Sequence, residues 1–256
     1  MALKLDISNA YDTVEWDFLR AVMVKLGFGG RWVDLIMECV QSVSYAILVN
    51  GKASNSFVPS RGLRQGDSLS PYLFLLCVES LSSLINQAER QKVLRGVLVA
   101  RGGIRVTHLL FAYDCVVFGQ ASWQEWLKIK QLLEIYEKAS GQCLNRQKTS
   151  LFFSTNVRDD IKRRIRKDIG AGMQNNCEKY LGLTIMVGKS QYNTFRGIKD
   201  RVWNKISNWK NLFLSPAGKE VLLKAVIQAI PTYHMNVFKL SIKLYKEIAA
   251  LMDKFW

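Results

Sequence analysis

The stretch Phe111-Ala112-Tyr113-Asp114 constrains the fold more than any other part of the chain. It lies between two apolar runs, His108-Leu109-Leu110 and Cys115-Val116-Val117-Phe118. Strand-like runs around a short polar tip predict a β-hairpin that presents its tip. An Asp on that tip is a candidate metal ligand.

Around this hairpin the pattern is mixed α and β. Leu3–Ile7 reads as a short strand. Apolar residues at 14, 18, 19, 22 and 26 predict a helix over 14–26, and a second helix is predicted over 32–43. Residues 45–50 and 56–59 read as paired strands around Gly51. Asp67 or Ser70 is expected to cap a long helix, with Pro71 in its first turn and an apolar stripe running to about Gln91. Val97-Leu98-Val99 is a further short apolar run. A helix over 122–139 is expected to stop at Gly141, and Leu151-Phe152-Phe153 returns as a strand. After Gly188 the strands are expected to cease. Residues 192–214 and 217–229 look helical, Pro231 breaks the pattern, and a last helix begins near 242.

The chain carries +15 net charge, distributed unevenly. Residues 141–256 hold 21 Lys and Arg against 8 Asp and Glu, whereas residues 1–140 hold 15 against 13. The basic half includes the run Lys162-Arg163-Arg164-Ile165-Arg166-Lys167. Such asymmetry points to a polyanionic partner, most simply nucleic acid. No window of 18 uninterrupted apolar residues exists, so no membrane partner is expected. The five cysteines are scattered, with no C-x-x-C pair and only two histidines, which argues against a zinc site or disulfide framework and for a reducing compartment.

Two further segments carry possible chemistry. In Leu3-Lys4-Leu5-Asp6-Ile7-Ser8-Asn9-Ala10-Tyr11-Asp12, a carboxylate at a strand end is followed five residues later by an aromatic. That spacing can pair a metal ligand with the wall of a substrate pocket. In Arg61-Gly62-Leu63-Arg64-Gln65-Gly66-Asp67-Ser68-Leu69-Ser70-Pro71, the glycines allow close backbone approach, while the arginines and the helix start favour anions.

Taken together and in this order, the segments resemble the reverse transcriptase of plant-type non-LTR (LINE-like) retrotransposons. Residues 3–12 look like motif A, 61–74 like motif B and 108–118 like motif C. Ser140-Gly141-Gln142-Cys143-Leu144-Asn145, with Lys148 and Thr149, looks like motif D. Lys179-Tyr180-Leu181-Gly182-Leu183 looks like the motif at the palm–thumb junction. The stretch 196–240 is similar to the helical region that follows.

The resemblance implies an α+β right-hand polymerase: a palm with an antiparallel sheet and packed helices over 1–188, then a helical thumb over 189–256. It implies addition of deoxynucleoside triphosphates to a DNA primer on an RNA template. Two Mg²⁺ ions about 3.5–4 Å apart would assist. Asp6, the Ile7 backbone carbonyl and Asp114 would be metal ligands. Tyr11 fits the position that blocks a ribose 2′-hydroxyl. Arg61, Gln65 and Gly66 fit nucleotide and template contacts, and Lys148 fits a proton donor to pyrophosphate. A nuclear or cytoplasmic, intracellular setting is expected.

Departures from the family point to an impaired copy. The family tetrad ends in two aspartates, the first being the essential metal ligand; here Tyr113 stands first and Asp114 second. Strand alternation is expected to turn Asp114 away from the metal, unless a tight hairpin tip relaxes that rule and lets Asp114 take over. A strand beginning at residue 3 leaves no room for the fingers that precede motif A, and the chain ends within an apparent helix. The expectation is a truncated palm and thumb without fingers, catalytically defective. The alternative is a non-catalytic basic RNA- or DNA-binding remnant, or an unexpressed relic of an element.

Overall fold

The computed structural model describes residues 1–100, 102–112, 114–145, 148–170, 179–184, 190–209 and 214–256. The chain divides into two compact units, Met1–Gln174 and Asn175–Trp256. The boundary expected at 188 falls within residues 185–189, outside the described ones.

The first unit is built on strand β1 (Ala2–Ser8), whose residues alternate between buried and half-exposed. Leu3, Leu5 and Ile7 point inward, and Ala2, Lys4, Asp6 and Ser8 outward. Helices α1 (Trp16–Lys25) and α2 (Gly30–Gln41) follow, then a minimal hairpin of β2 (Leu48–Val49) and β3 (Lys52–Ala53) turning on Asn50-Gly51. Both turn residues have positive φ, at 51° and 78°, the requirement of a type I′ connection. Residues 56–59 join this hairpin only through a bridge between Tyr45 and Phe57, so the strands are shorter than predicted.

Helix α3 (Ser70–Arg90) has Pro71 in its first turn, but neither Asp67 nor Ser70 caps it. Its N-cap is Leu69, without a side-chain cap, and Asp67 Oδ1 instead accepts from Leu69 N at 3.0 Å. A small ladder of β4 (Val97–Leu98) and β5 (Arg105–Val106) precedes the motif C hairpin, β6 (His108–Phe111) and β7 (Asp114–Phe118). Helix α4 (Trp123–Ser140) is capped by Ser122, which accepts from Glu125 N, and ends at Gly141 with φ 73°. Then come β8 (Cys143–Leu144), β9 (Ser150–Phe152) and α5 (Asp159–Ile169). The last was read from sequence only as a charge run.

The main sheet is antiparallel in the order β6-β7-β1-β8. β9 shares the β8 edge, pairing Ala2–Lys4 while β8 pairs Ile7 and Ser8. Under its inward face, Leu3, Leu5, Cys115 and Val117 pack with Leu81 and Ile85 of α3, Trp126, Ile129 and Leu133 of α4, and Ile165 of α5. A second cluster joins the end of β1 to α1, α2 and the first half of α3.

The second unit begins with a hairpin of β10 (Lys179–Tyr180) and β11 (Leu183–Thr184), turning on Leu181 and Gly182 with φ 51° and 77°. Helix α6 (Gln191–Trp209) packs on α9 (Ile242–Phe255) through Phe195, Ile198, Val202, Leu244 and Ile248. Between them lie α7 (Pro216–Leu222), a π-helical turn over Leu223–Ile227, and α8 (Ala229–Met235). Pro231 does not break the helix as predicted: it sits in the first turn of α8, and the wider π turn just before it accommodates the missing N–H. Among the described residues no helix is long and apolar enough to cross a membrane.

Candidate active site

The decisive geometry is the register of β1 on β7. Asp6 is paired directly with Asp114. Residues directly opposite in an antiparallel pair project to the same face, with Cβ atoms roughly 4.5–5.5 Å apart. The two half-buried carboxylates therefore stand side by side on the outward face of the sheet.

This corrects the expectation that Asp114 is turned away. The β6–β7 ladder closes with Phe111 opposite Asp114, so the pairing register restarts at Asp114 across a tight connection. The rule that neighbouring strand residues oppose each other does not span that connection. Ala112 takes φ 51°, the left-handed conformation such a tight connection demands. Tyr113 itself lies outside the described residues.

Asp6 opens into a cleft of about 880 Å³. Its walls bring together Asp6, Ile7 and Tyr11 from the first motif, Gln65, Gly66 and Asp67 from the second, and Asn145 and Lys148 from the fourth. Three segments remote in sequence thus line one cleft. Arg61 does not join them: its guanidinium bonds Glu15 at 3.3 Å, and both side chains are solvent-exposed. Asp114 is not a wall of the cleft but adjoins it through Asp6.

The walls are tied together by backbone contacts. Gly62 N donates to Val14 O and Leu63 N to Tyr11 O, each at 2.8 Å, and Trp16 Nε1 donates to Gly62 O at 2.8 Å. Gly62 has φ 94°, and a Cβ there would lie 2.7 Å from the Asp12 carbonyl oxygen. The position therefore demands glycine for both conformation and space. The Tyr11 ring stacks on Phe74 of α3, centroids 4.8 Å apart at 22°.

Two contributors were not foreseen as parts of the site. Gln142 is buried, donates from Nε2 to Ala10 O at 2.7 Å, and accepts from the Tyr136 hydroxyl. Burial pushes that phenol well above its ordinary range. Asn145 N donates to Asp6 O at 2.8 Å, while its side chain accepts from Lys148 N at 3.1 Å. Both residues lie in the stretch that carried the motif D resemblance, but no spacing rule foretells a bond from residue 142 to residue 10.

Two carboxylates on one face offer hard oxygen donors suited to Mg²⁺. Among the described residues no group of three or more His, Cys, Asp or Glu converges.

A family model described as "Reverse transcriptase (RNA-dependent DNA polymerase)" matches residues 1–185. The chain belongs to this family, and the resemblance read from its motifs holds. It is 22% identical over 236 residues to the Transposon TX1 uncharacterized 149 kDa protein of Xenopus laevis, covering 91% of this chain and 17% of that one. It is 32% identical over 121 residues to the Pol polyprotein of the retrotransposable element R2DM of Drosophila melanogaster, covering 45% and 10%. The uncharacterized mitochondrial protein AtMg01250 of Arabidopsis thaliana is 52% identical over 67 residues, 26% of this chain and 55% of that protein. The chain thus spans about half the length of one curated relative and under a fifth of the other two. Among solved structures, telomerase of Candida albicans with a fragment of telomeric RNA aligns over 99% of this chain and 44% of that one, at TM-score 0.48 and 12% identity.

Proposed function

We propose that the chain is the palm and thumb of a non-LTR retrotransposon reverse transcriptase whose nucleotidyl transfer is crippled by Tyr113. The register that sets Asp6 against Asp114 at the mouth of the shared cleft carries this reading. Asp6 and Asp114 would hold a magnesium ion, with the Ile7 carbonyl beside them. In this chemistry bound metal ions stabilise the attacking and leaving oxygens of the displacement.

The remaining roles fall to the chain's own groups. Tyr11, held against Phe74, walls the sugar end of the nucleotide site. Gln65 and Gly66 offer polar and backbone contacts to nucleotide and template on the facing wall. Lys148 is exposed at the cleft and would deliver a proton to the departing pyrophosphate. A Tyr side chain, with an ordinary pKa near 10, is neutral at pH 7 and a poor ligand for magnesium. Its presence at the first motif C position removes one carboxylate from the constellation.

The test is primer extension by the full chain on an RNA template with Mg²⁺, compared with Tyr113→Asp. The substitution is expected to raise the rate by about 10²–10³-fold, the usual effect of one electrostatic stabiliser. Robust extension by the unmodified chain would sink the reading. A second reading is a non-catalytic nucleic-acid binder, favoured by the net +13 charge of residues 141–256. Its signature is salt-sensitive RNA–DNA binding without extension in either variant.

A further inference from the structure

Helix α5 lies on the side of the sheet opposite the carboxylates. Its apolar residues Ile161, Ile165 and Ile169 repeat every fourth position, and Ile165 is fully buried against the inward-facing cluster of Leu3, Leu5 and Val117. Asp6 and Asp114 occupy the outward face of those same strands. A strand of nucleic acid passing over the carboxylates is separated from α5 by the sheet, and packed layers are spaced roughly 10 Å apart.

The polar side of α5 has a specific charge arrangement. Its three acids are engaged: Asp159 with Lys162 at 2.9 Å, Asp160 with Arg158 at 2.8 Å, and Asp168 with Lys130 at 3.0 Å. Arg163, Arg164, Arg166 and Lys167 have no ion-pair partner among the described residues. Two of these are held in place by rings. The Arg164 guanidinium lies 3.9 Å over Trp123, and that of Arg166 lies 5.5 Å from the Phe153 ring centre. An arginine stacked on an aromatic face loses less freedom on binding and keeps its N–H edge for a bidentate acceptor. Four cations over five consecutive positions, two of them pre-oriented, suit an extended polyanion better than a single small anion.

We propose that α5 is a second nucleic-acid contact, gripping the phosphate backbone of an RNA strand that lies outside the active-site cleft. A membrane surface fits less well. Interfacial helices turn a broad apolar face into the lipid, whereas the apolar side of α5 is spent in the core and no large hydrophobic residue is exposed along 158–169. The proposal does not depend on polymerase activity.

The experiment is binding of a fluorescein-labelled single-stranded RNA of about 40 nucleotides, by anisotropy at several salt concentrations. The full chain is compared with Arg163→Gln/Arg164→Gln/Arg166→Gln/Lys167→Gln, and with Arg163→Gln/Lys167→Gln, which leaves the stacked arginines in place. Removing four phosphate contacts is expected to weaken binding at least tenfold. The slope of log K against log salt should fall by about 2–3, at roughly 0.7 per phosphate of a single strand. The double variant should lose about half of that slope. A control, Arg20→Gln/Lys52→Gln, should bind as the parent does. Unchanged affinity and slope in both α5 variants overturns the proposal. So does a loss seen with anionic phosphatidylserine vesicles but not with RNA, and so does an equal loss for the control pair. Thermal melting of each variant separates lost contacts from lost fold.

Discussion

The two faces of strand β1 do opposite work with the same backbone. Leu3 and Leu5 on one side are almost wholly covered by α3, α4 and α5. Asp6, one residue further along, stands on the other side beside a second carboxylate. Directly opposed like charges weaken a strand pairing in general, whereas the sealed face contributes buried apolar contact. A strand can afford a poor pairing on one side only when the other is well packed.

The sharpest way to break this comparison is to open the sealed face. Leu5→Ala leaves a cavity in the centre of the cluster and is expected to cost about 2–5 kcal/mol, read as a fall in denaturant midpoint at unchanged slope. A loss under 1 kcal/mol would mean that the sealed face does not carry the sheet. Gln142→Ala comes next, because it strands the Ala10 carbonyl and the Tyr136 hydroxyl in a buried place. The expected loss is about 1–3 kcal/mol. Asp6→Asn should move stability the other way. Relieving directly opposed like charges stabilises by about 0.2–1 kcal/mol in chelator-treated buffer, while extension by the Tyr113→Asp chain is abolished. Destabilisation by Asp6→Asn would show that the pair is structural.

The smallest effect concerns His108 on β6. Its ring bonds the hydroxyls of Ser82 and Thr107, each at 3.0 Å. Burial holds it below the ordinary imidazole value, against weaker opposing pulls from Glu79 and Glu89. The unfolded chain then takes up its proton more readily than the folded one. The contribution is complete above an unfolded pKa near 6.5 and is lost as pH falls below it. Melting temperature should drop from pH 7 to pH 5, and less steeply in His108→Gln.

Periodicity made much of this fold legible. β1, α3, α4, α6 and α9 lie close to where their apolar spacing puts them, because each buries a continuous stripe. Helix α5 escaped notice although Ile161, Ile165 and Ile169 carried the right period, since its dense charge masked three well-placed apolar residues. The cleft residues Asp6, Tyr11, Gln65, Gly66 and Lys148 were legible through the motif resemblance. The orientation of Asp114 was not, because it depends on how many residues the hairpin leaves unpaired. Gln142 was hidden for a related reason: its bond to residue 10 exists only once the chain has folded.

The lacing of Gly62 and Leu63 to the carbonyls of Val14 and Tyr11 has a mechanical consequence. The wall bearing Tyr11 and the wall bearing Gln65 and Gly66 share one anchor, so the cleft works as a single jaw rather than two independent lips. Under the proposed function, a nucleotide pressing on the tyrosine would be felt at the glutamine. A side chain forced in at position 62 would spread the whole jaw at once, dulling the fit for every substrate without touching any of them.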